Sequence, residues 1–191
     1  CQHAYFTSGK SELVDKGLRC LKATRKKASL VIGLSKQHFG YVTAAARSLD
    51  YSEEDDLSWF NWPKIEHPNE VGVEQSILQL RNILKSTDSE NVLAIVVELA
   101  GEKSGYVLSE EFLSELAVIR NETGIPLIYC ENASSLARIS NNVFASSNKK
   151  VKANMIWWYT GAQLGHVFVD DAYSVDTPLT LISTWDGDEV S

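Results

Sequence analysis

Two stretches of the sequence are apolar without polar alternation, residues 92–100 and residues 125–130. Runs of this kind are typical of strands that are buried on both faces of a parallel sheet. Glu98 lies near the end of the first run, and Cys130 ends the second. Because ligands of open α/β sheets bind beyond the carboxyl ends of the strands, these two positions predict one edge of a binding site.

Apolar positions in the rest of the chain alternate between strand-like and helix-like spacing. Only residues 160–165 separate the last two strand-like segments, too few for a helical crossover, so these two strands are expected to be antiparallel. The strand-like segments are residues 4–7, 29–34, 57–62, 154–159 and 166–169.

Helical spacing begins at Ser11 and at Ser109, which are predicted to cap two helices. Two further helices are predicted around residues 44–46 and over residues 71–85. Strands that alternate with helices predict an α/β fold, with a mostly parallel sheet of about seven strands flanked by helices.

The composition is that of a globular protein, with 44% hydrophobic and 23% charged residues among 191. This length supports one domain over residues 1–191. A net charge of -7 argues against nucleic acid or an anionic membrane as a partner. No apolar run approaches the roughly 20 residues that are needed to span a bilayer.

Three cysteines, at positions 1, 20 and 130, form neither a metal-binding spacing nor a disulfide framework. We therefore expect a reducing, cytoplasmic location. The four histidines form no zinc-type pair, so no metal site is expected. Cys130 has no basic residue beside it in the sequence, and a buried, inert thiol is the favoured interpretation.

Several motifs stand in the order found in one known family. Residues 6–9 (Phe-Thr-Ser-Gly), followed by Glu12, are similar to a strand that enters a Ser-Gly-Ser-Glu-Ala helix, here with one extra residue. Residues 39–40 (Phe-Gly) stand where that family has an aromatic-His-Gly turn. Residues 96–98 (Val-Val-Glu), with Gly105 further on, are similar to its Val-Glu-Pro…Gly pattern.

The second half of the chain continues this order. Residues 127–131 and Arg138 are similar to a Leu-Ile-x-Asp-Glu…Arg region, and residues 164–165 to a Pro-Leu-Gly motif. Residues 183–185 (Ser-Thr-Trp) are similar to a Ser-Thr-Phe motif. Together these motifs resemble the large domain of the class III (ω-type) aminotransferases, which have pyridoxal-phosphate fold type I. The family's N-terminal segment and C-terminal small domain are not in residues 1–191, so we expect a piece of a longer chain.

The sequence departs from this family in the groups that carry its reaction. The family's lysine, which binds the cofactor as a Schiff base, aligns with Ile156 or Trp157, and residues 153–191 contain no lysine at all. The aspartate that keeps the pyridine nitrogen protonated is replaced by Cys130. A neutral thiol cannot stabilise a pyridinium as a carboxylate does.

The resemblance implies a vestigial pocket and no catalytic residue. No cofactor is expected, with any pyridoxal phosphate held without a covalent bond. From the residues alone, Glu98 is equally a pocket group or a loop cap, and the turn before the first helix is equally a phosphate site or a plain turn. The pocket residues that the resemblance implies are Ser8, Gly9, Phe39, Glu98, Cys130 and Thr184.

Three functions remain open at this point. The favoured one is a degenerate aminotransferase-like domain without transaminase activity, acting as a structural or partner-binding module. The first alternative is an aminotransferase-family protein that binds its cofactor non-covalently, and the second is a fragment whose site is completed by another chain or segment. A homodimer or a protein partner is expected, because the motif around Thr184 is kept and large aromatic side chains favour interfaces. The five tryptophans, all predicted near strand ends or loops, are Trp59, Trp62, Trp157, Trp158 and Trp185.

Overall fold

The two apolar runs form neighbouring strands in the middle of a seven-stranded sheet. A computed structural model describes residues 1–50, 58–177 and 180–181. In chain order the strands of this part are β1 (His3–Thr7), β2 (Leu30–Leu34), β3 (Lys64–Ile65), β4 (Val92–Glu98), β5 (Leu127–Cys130), β6 (Met155–Tyr159) and β7 (Gly165–Val169). The helices are α1 (Lys10–Thr24), α2 (Ala44–Leu49), α3 (Pro68–Val71), α4 (Val73–Ser86) and α5 (Glu110–Thr123).

The strand order is β1-β7-β6-β5-β4-β2-β3; β7 runs antiparallel to both of its neighbours, β1 and β6, and the other four described pairings are parallel. β6 and β7 form a hairpin in which Tyr159 lies opposite Gly165. The predicted α/β fold, the mostly parallel sheet and the antiparallel last pair are therefore confirmed. Within the described residues, no helix is long and apolar enough to cross a membrane.

Two apolar layers cover the sheet. One packs α1 and α2 against one face, with Leu13, Leu21 and Trp157 among its buried members. The other packs α4 and α5 against the opposite face, with Leu80 and Phe112 among its members. Because β4 lies between both layers, all seven of its residues are buried, which is why its sequence shows no polar alternation.

The strand predicted over residues 57–62 is wrong where the structure describes it. The backbone N–H groups of Trp59 and Phe60 both donate to the Ser48 hydroxyl, at 3.1 and 2.8 Å, instead of to a neighbouring strand. The short edge strand β3 follows at Lys64–Ile65, directly after Pro63. Proline lacks a backbone N–H, so Pro63 cannot donate a hydrogen bond to a neighbouring strand.

The helix predicted over residues 71–85 is two helices. Gly72 separates α3 from α4 and has a φ of +87°, a conformation that favours glycine. The periodic apolar positions belong to α4 alone, where Ile77 and Leu80 are buried. Periodicity located the helix, but it could not show the break.

Ser11 does not cap α1 as predicted, because the helix begins at Lys10 with Gly9 as its N-cap. The Ser11 hydroxyl instead accepts a hydrogen bond from the N–H of Val42 at 3.1 Å. Gly40, with a φ of +98°, passes so close that a Cβ there would lie 2.4 Å from the Ser11 hydroxyl oxygen. The loop after β2 is therefore held against the first turn of α1.

Candidate functional site

Polar groups from three parallel strands meet at one edge of the sheet, which we call the rim. Glu98 at the end of β4 lies opposite Cys130 at the end of β5. The loop after β2 brings the backbone of His38 against Glu98. The expectation that Glu98 and Cys130 lie together at one edge is confirmed by this register.

Glu98 is buried in the rim, with 1% of its surface exposed. Its Oε2 accepts a hydrogen bond from the N–H of His38 at 3.0 Å, while Oε1 has no partner among the described residues. Burial raises the pKa of Glu98 to about 8, and the His38 N–H and the charge of Lys10 partly oppose this rise. At neutral pH the carboxyl is therefore largely protonated and able to donate from the side that lacks a partner.

A buried histidine–aspartate pair lies next to Glu98. Nδ1 of His38 is 2.8 Å from Oδ1 of Asp50, and the other carboxylate oxygen lies 3.8 Å from Arg47 and from Lys103. The Lys103 amine also lies over the ring of Tyr41, 4.8 Å from its centroid. The sequence gave no sign of this pair, because it forms only when the loop after β2 and the end of α2 meet.

Lys10 was missed entirely by sequence reasoning. It lies in the first turn of α1, and its Nζ forms an ion pair with Glu102 in the loop after β4. Its charge also lowers the pKa values of Glu98 and Cys130. A lysine in the first turn of a helix opposes the helix dipole. That local mismatch is the sequence signal that could have drawn attention to it.

Cys130 is an inert thiol in this setting. Burial is the main cause that raises its pKa well above the ordinary range, and the nearby Glu98 charge raises it further. Its neighbour Glu131 points away from the rim, as strand alternation predicts. The Glu131 carboxylate accepts hydrogen bonds from the N–H groups of Ala145 and Ser146, both at 2.8 Å, and so holds the following loop.

A cavity of about 340 Å³ opens at the ends of β5 and β6. Its wall is tied together by Asn132, whose side-chain oxygen accepts a hydrogen bond from the N–H of Tyr159 at 2.8 Å. Arg138 donates to the carbonyl oxygens of Asn132 and Ser135 and lines the same space. The lining residues are Glu102, Asn132, Ala133, Arg138, Tyr159, Thr160 and Gly161.

The other predicted pocket residues that the structure describes have different surroundings. Gly9 is the N-cap of α1 and has no side chain to cap the first N–H groups, and the Ser8 hydroxyl donates to Glu12 at 2.7 Å. Phe39 is buried in the layer under α1, edge-on to Trp157 at 6.3 Å between ring centroids. Thr184 lies outside the described residues.

Trp157 occupies one of the two positions that align with the family's lysine, and it does not face the rim. Its indole lies in the layer under α1, so close that a Cβ on Gly17 would lie 2.2 Å from its Nε1. Trp158 points to the other face, where its Nε1 donates to the Ser135 hydroxyl at 2.9 Å. Strand alternation therefore places the two tryptophans on opposite faces of the sheet.

Solved transaminase structures share this fold. A transaminase from the marine bacterium Virgibacillus matches 96% of this chain with a TM-score of 0.84 and 19% identity, over 46% of its own length. An (S)-enantioselective omega-transaminase from Thermomicrobium roseum matches 97% of it with a TM-score of 0.83 and 19% identity, over 47% of its length. A taurine:2-oxoglutarate aminotransferase from Bifidobacterium kashiwanohense, in complex with pyridoxal phosphate and glutamate, matches 90% with a TM-score of 0.80 and 19% identity, over 43% of its length.

The chain therefore has the pyridoxal-phosphate fold type I of transaminases, and it spans less than half of the length of each of these proteins. No protein-family model matches the sequence, and no curated protein matches it.

The expectation of no cofactor is wrong at the level of the fold. It followed from the missing lysine and from Cys130, but a protein with this same fold carries pyridoxal phosphate in its solved structure. Loss of two groups from one wall of a pocket leaves its other walls in place. The start of α1 and the buried Glu98 oxygen without a partner fit a phosphorylated ligand with a polar ring substituent.

Proposed function

We propose that this chain is the large-domain portion of a pyridoxal-phosphate-dependent aminotransferase-family protein, whose site is completed by another segment or a second chain. The observation that carries this proposal is the match to a transaminase over 96% of the chain with a TM-score of 0.84. Glu98 and Cys130 stand in two of the motifs that resemble class III aminotransferases, and they lie opposite each other at the ends of neighbouring strands, which supports the same proposal.

Two parts of this chain are suited to bind the cofactor. The uncapped N–H groups at the start of α1, next to Ser8 and Gly9, suit its phosphate, since a helix N-terminus attracts anions. Glu98, largely protonated, suits a ring oxygen as a hydrogen-bond donor. When bound, pyridoxal phosphate would supply the electron sink for chemistry next to an amino group.

The catalytic groups that are missing from the family's positions in this chain must be supplied by other residues. Cys130 stands in place of the ring-nitrogen carboxylate, and Trp157 is buried away from the cavity. We propose that a neighbouring copy or the remainder of the protein covers the rim, and that the protein works in the cytoplasm, where thiols remain reduced. The three cysteines are free thiols in this structure, which is consistent with that location.

One observation favours a second function, a partner-binding module without transaminase activity. Cys130 and Trp157, the latter being one of the two positions that align with the family's lysine, are both committed to buried packing. Burial in a packed layer stabilises the fold but leaves these side chains unable to contact a ligand. Under this second function the rim would bind a protein partner.

The test is cofactor binding by the full-length native protein. We expect it to retain pyridoxal phosphate through gel filtration and to show absorbance of the bound cofactor in the near ultraviolet. Gly9→Asp places a carboxylate at the start of α1 and should weaken binding at least tenfold, because it repels the phosphate. Gly124→Asn, at the end of α5, is the matched control and should bind normally, since asparagine tolerates the left-handed conformation of Gly124. A full-length protein that takes up no cofactor would support the partner-binding module instead.

A further inference from the structure

The first turn of α1 carries a lysine whose side chain is directed into the rim. Only 13% of the Lys10 side chain is exposed, and its Nζ is paired with Glu102. A cation in this turn is disfavoured by the helix dipole, so the sequence gains nothing locally from a lysine here. Its position is explained by the ion pair that its amine forms with Glu102.

That amine lies beside the cavity, because its ion-pair partner Glu102 is one of the cavity's lining residues. Lys10 is close enough to Glu98 and to Cys130 for its charge to act on both. Glu102, its ion-pair partner, lines the cavity of about 340 Å³ together with Asn132, Tyr159 and Thr160. A swing of the flexible lysine side chain about its own bonds would therefore bring the amine from Glu102 to the cavity.

Three lysines in the loop after β4 and in the segment before β6 are placed differently. Lys103 lies over the Tyr41 ring and near Asp50. Lys149 is paired with Glu110 at 2.9 Å, and Lys152 donates to the carbonyl oxygens of Ser146 and Ser147. Both of these precede β6, at the edge of the sheet opposite the rim.

We propose that Lys10 is the amine that forms a covalent imine with an aldehyde bound in the rim cavity. This inference rests on the proposed function in one respect, namely that the aldehyde is that of pyridoxal phosphate. Lys10 would thus take over, from a different element of the fold, the position that the family fills with a lysine after β6.

The step balances without a further reactant. The ammonium of Lys10 passes one proton to the Glu102 carboxylate, and the neutral Nζ attacks the aldehyde carbon, forming a C–N bond. The carbonyl oxygen takes up the proton held by Glu102 and one from nitrogen, and it leaves as water. The product is a protonated imine, which carries the same single positive charge as the starting ammonium.

The experiment is reductive trapping on the full-length protein. Pyridoxal phosphate is added, the sample is reduced with borohydride, and the labelled peptide is mapped by mass spectrometry. We expect close to one label per chain on Lys10. Lys10→Arg, which keeps the charge but cannot form an imine, should lose more than nine-tenths of this label and the absorbance shift that accompanies it.

Controls separate this inference from the proposed function. Lys149→Arg, at the opposite edge of the sheet, should label Lys10 as the wild type does. Cofactor that stays bound through gel filtration but is not reduced onto Lys10 would overturn the inference, leave the proposed function standing and assign Lys10 to the phosphate as a cation. A single label on any other residue would also overturn it. If no pyridoxal phosphate binds and reduction gives only scattered labels, both the inference about Lys10 and the proposed function are contradicted.

Discussion

Glu98 shows how burial sets the chemistry of a single residue. Its side chain is 1% exposed and receives one hydrogen bond, from His38. One charge-assisted hydrogen bond does not replace the water that a carboxylate loses on burial. The pKa of Glu98 rises to about 8 for this reason, and the neutral acid is the form that the fold favours.

This raised pKa predicts that Glu98→Gln stabilises the protein at high pH. In the unfolded chain Glu98 loses its proton near its ordinary pKa, whereas the folded state keeps the proton until about pH 8. Wild-type stability should therefore fall between pH 5 and pH 8, by about 3 kcal/mol from this group, while the amide cannot ionise. Urea unfolding of both proteins at each pH measures the difference.

The matched control for Glu98→Gln is Glu111→Gln, at an exposed position in the first turn of α5. Its free energy of unfolding should follow the wild-type pH profile. Parallel profiles for Glu98→Gln and the wild type would show that the carboxyl is hydrated.

Cys130 is predicted to react slowly with iodoacetamide in the native state. It is buried, and burial holds its pKa far above the range in which a thiolate forms. The exposed Cys1 is an internal standard within the same molecule. Peptide mapping should show Cys1 alkylated at least a hundredfold faster than Cys130, with the two rates converging in urea. Equal native rates would mean that the end of β5 is open to solvent.

At the scale of elements, the contact between α1 and β6 decides where the rim lies. Gly17 lets the helix approach the indole of Trp157 so closely that a Cβ would lie 2.2 Å from its Nε1. Trp157 in turn packs edge-on against Phe39 from the loop after β2. One glycine thus sets the distance of α1, and with it Lys10, from the sheet.

Gly17→Ala is therefore predicted to destabilise the fold, although alanine is the better helix former. The added methyl meets a fully buried indole, and the overpacking should cost about 2 kcal/mol. Urea unfolding measures this cost. In a Trp157→Phe background, where the ring is smaller, the same substitution should cost less than half as much. An unchanged cost in that background would place the strain elsewhere in α1.

At the scale of the whole molecule, apolar side chains remain exposed beside the rim. Val42 is 88% exposed and Trp59 is 78% exposed, and Tyr41 and Phe60 lie next to them in the sequence. Large exposed apolar side chains of this kind are found at interaction surfaces. Trp157 does not contribute to this surface, because it is buried.

We predict a homodimer that covers this side of the rim. Sedimentation at micromolar concentration should give the mass of two chains. The double variant Val42→Ser/Trp59→Ser should weaken self-association at least tenfold, because two large exposed apolar side chains at an interface are commonly hot spots. Leu78→Ser, at a position 50% exposed on α4, is the control and should leave the dimer intact. A monomeric wild type would rule the dimer out.

The sequence by itself determined the fold class and the position of the rim. The uninterrupted apolar composition of β4 and β5 indicates that both strands are buried on both faces. The order of strands and helices along the chain leaves few ways to build a parallel sheet. Glu98 and Cys130 could be placed together for this reason alone. Ser109 as the cap of α5 was equally visible, because capping is a local property.

Only the tertiary structure decided which side chains meet at the rim. Lys10 and Glu102 are far apart in sequence and lie on different elements, so no local pattern could pair them. Asp50 finds His38 only after α2 has packed, and Trp157 faces the layer under α1 because of the register of β6. Local sequence fixes the state of the backbone, whereas long-range packing fixes the distances between charges, and the chemistry of the site depends on those distances.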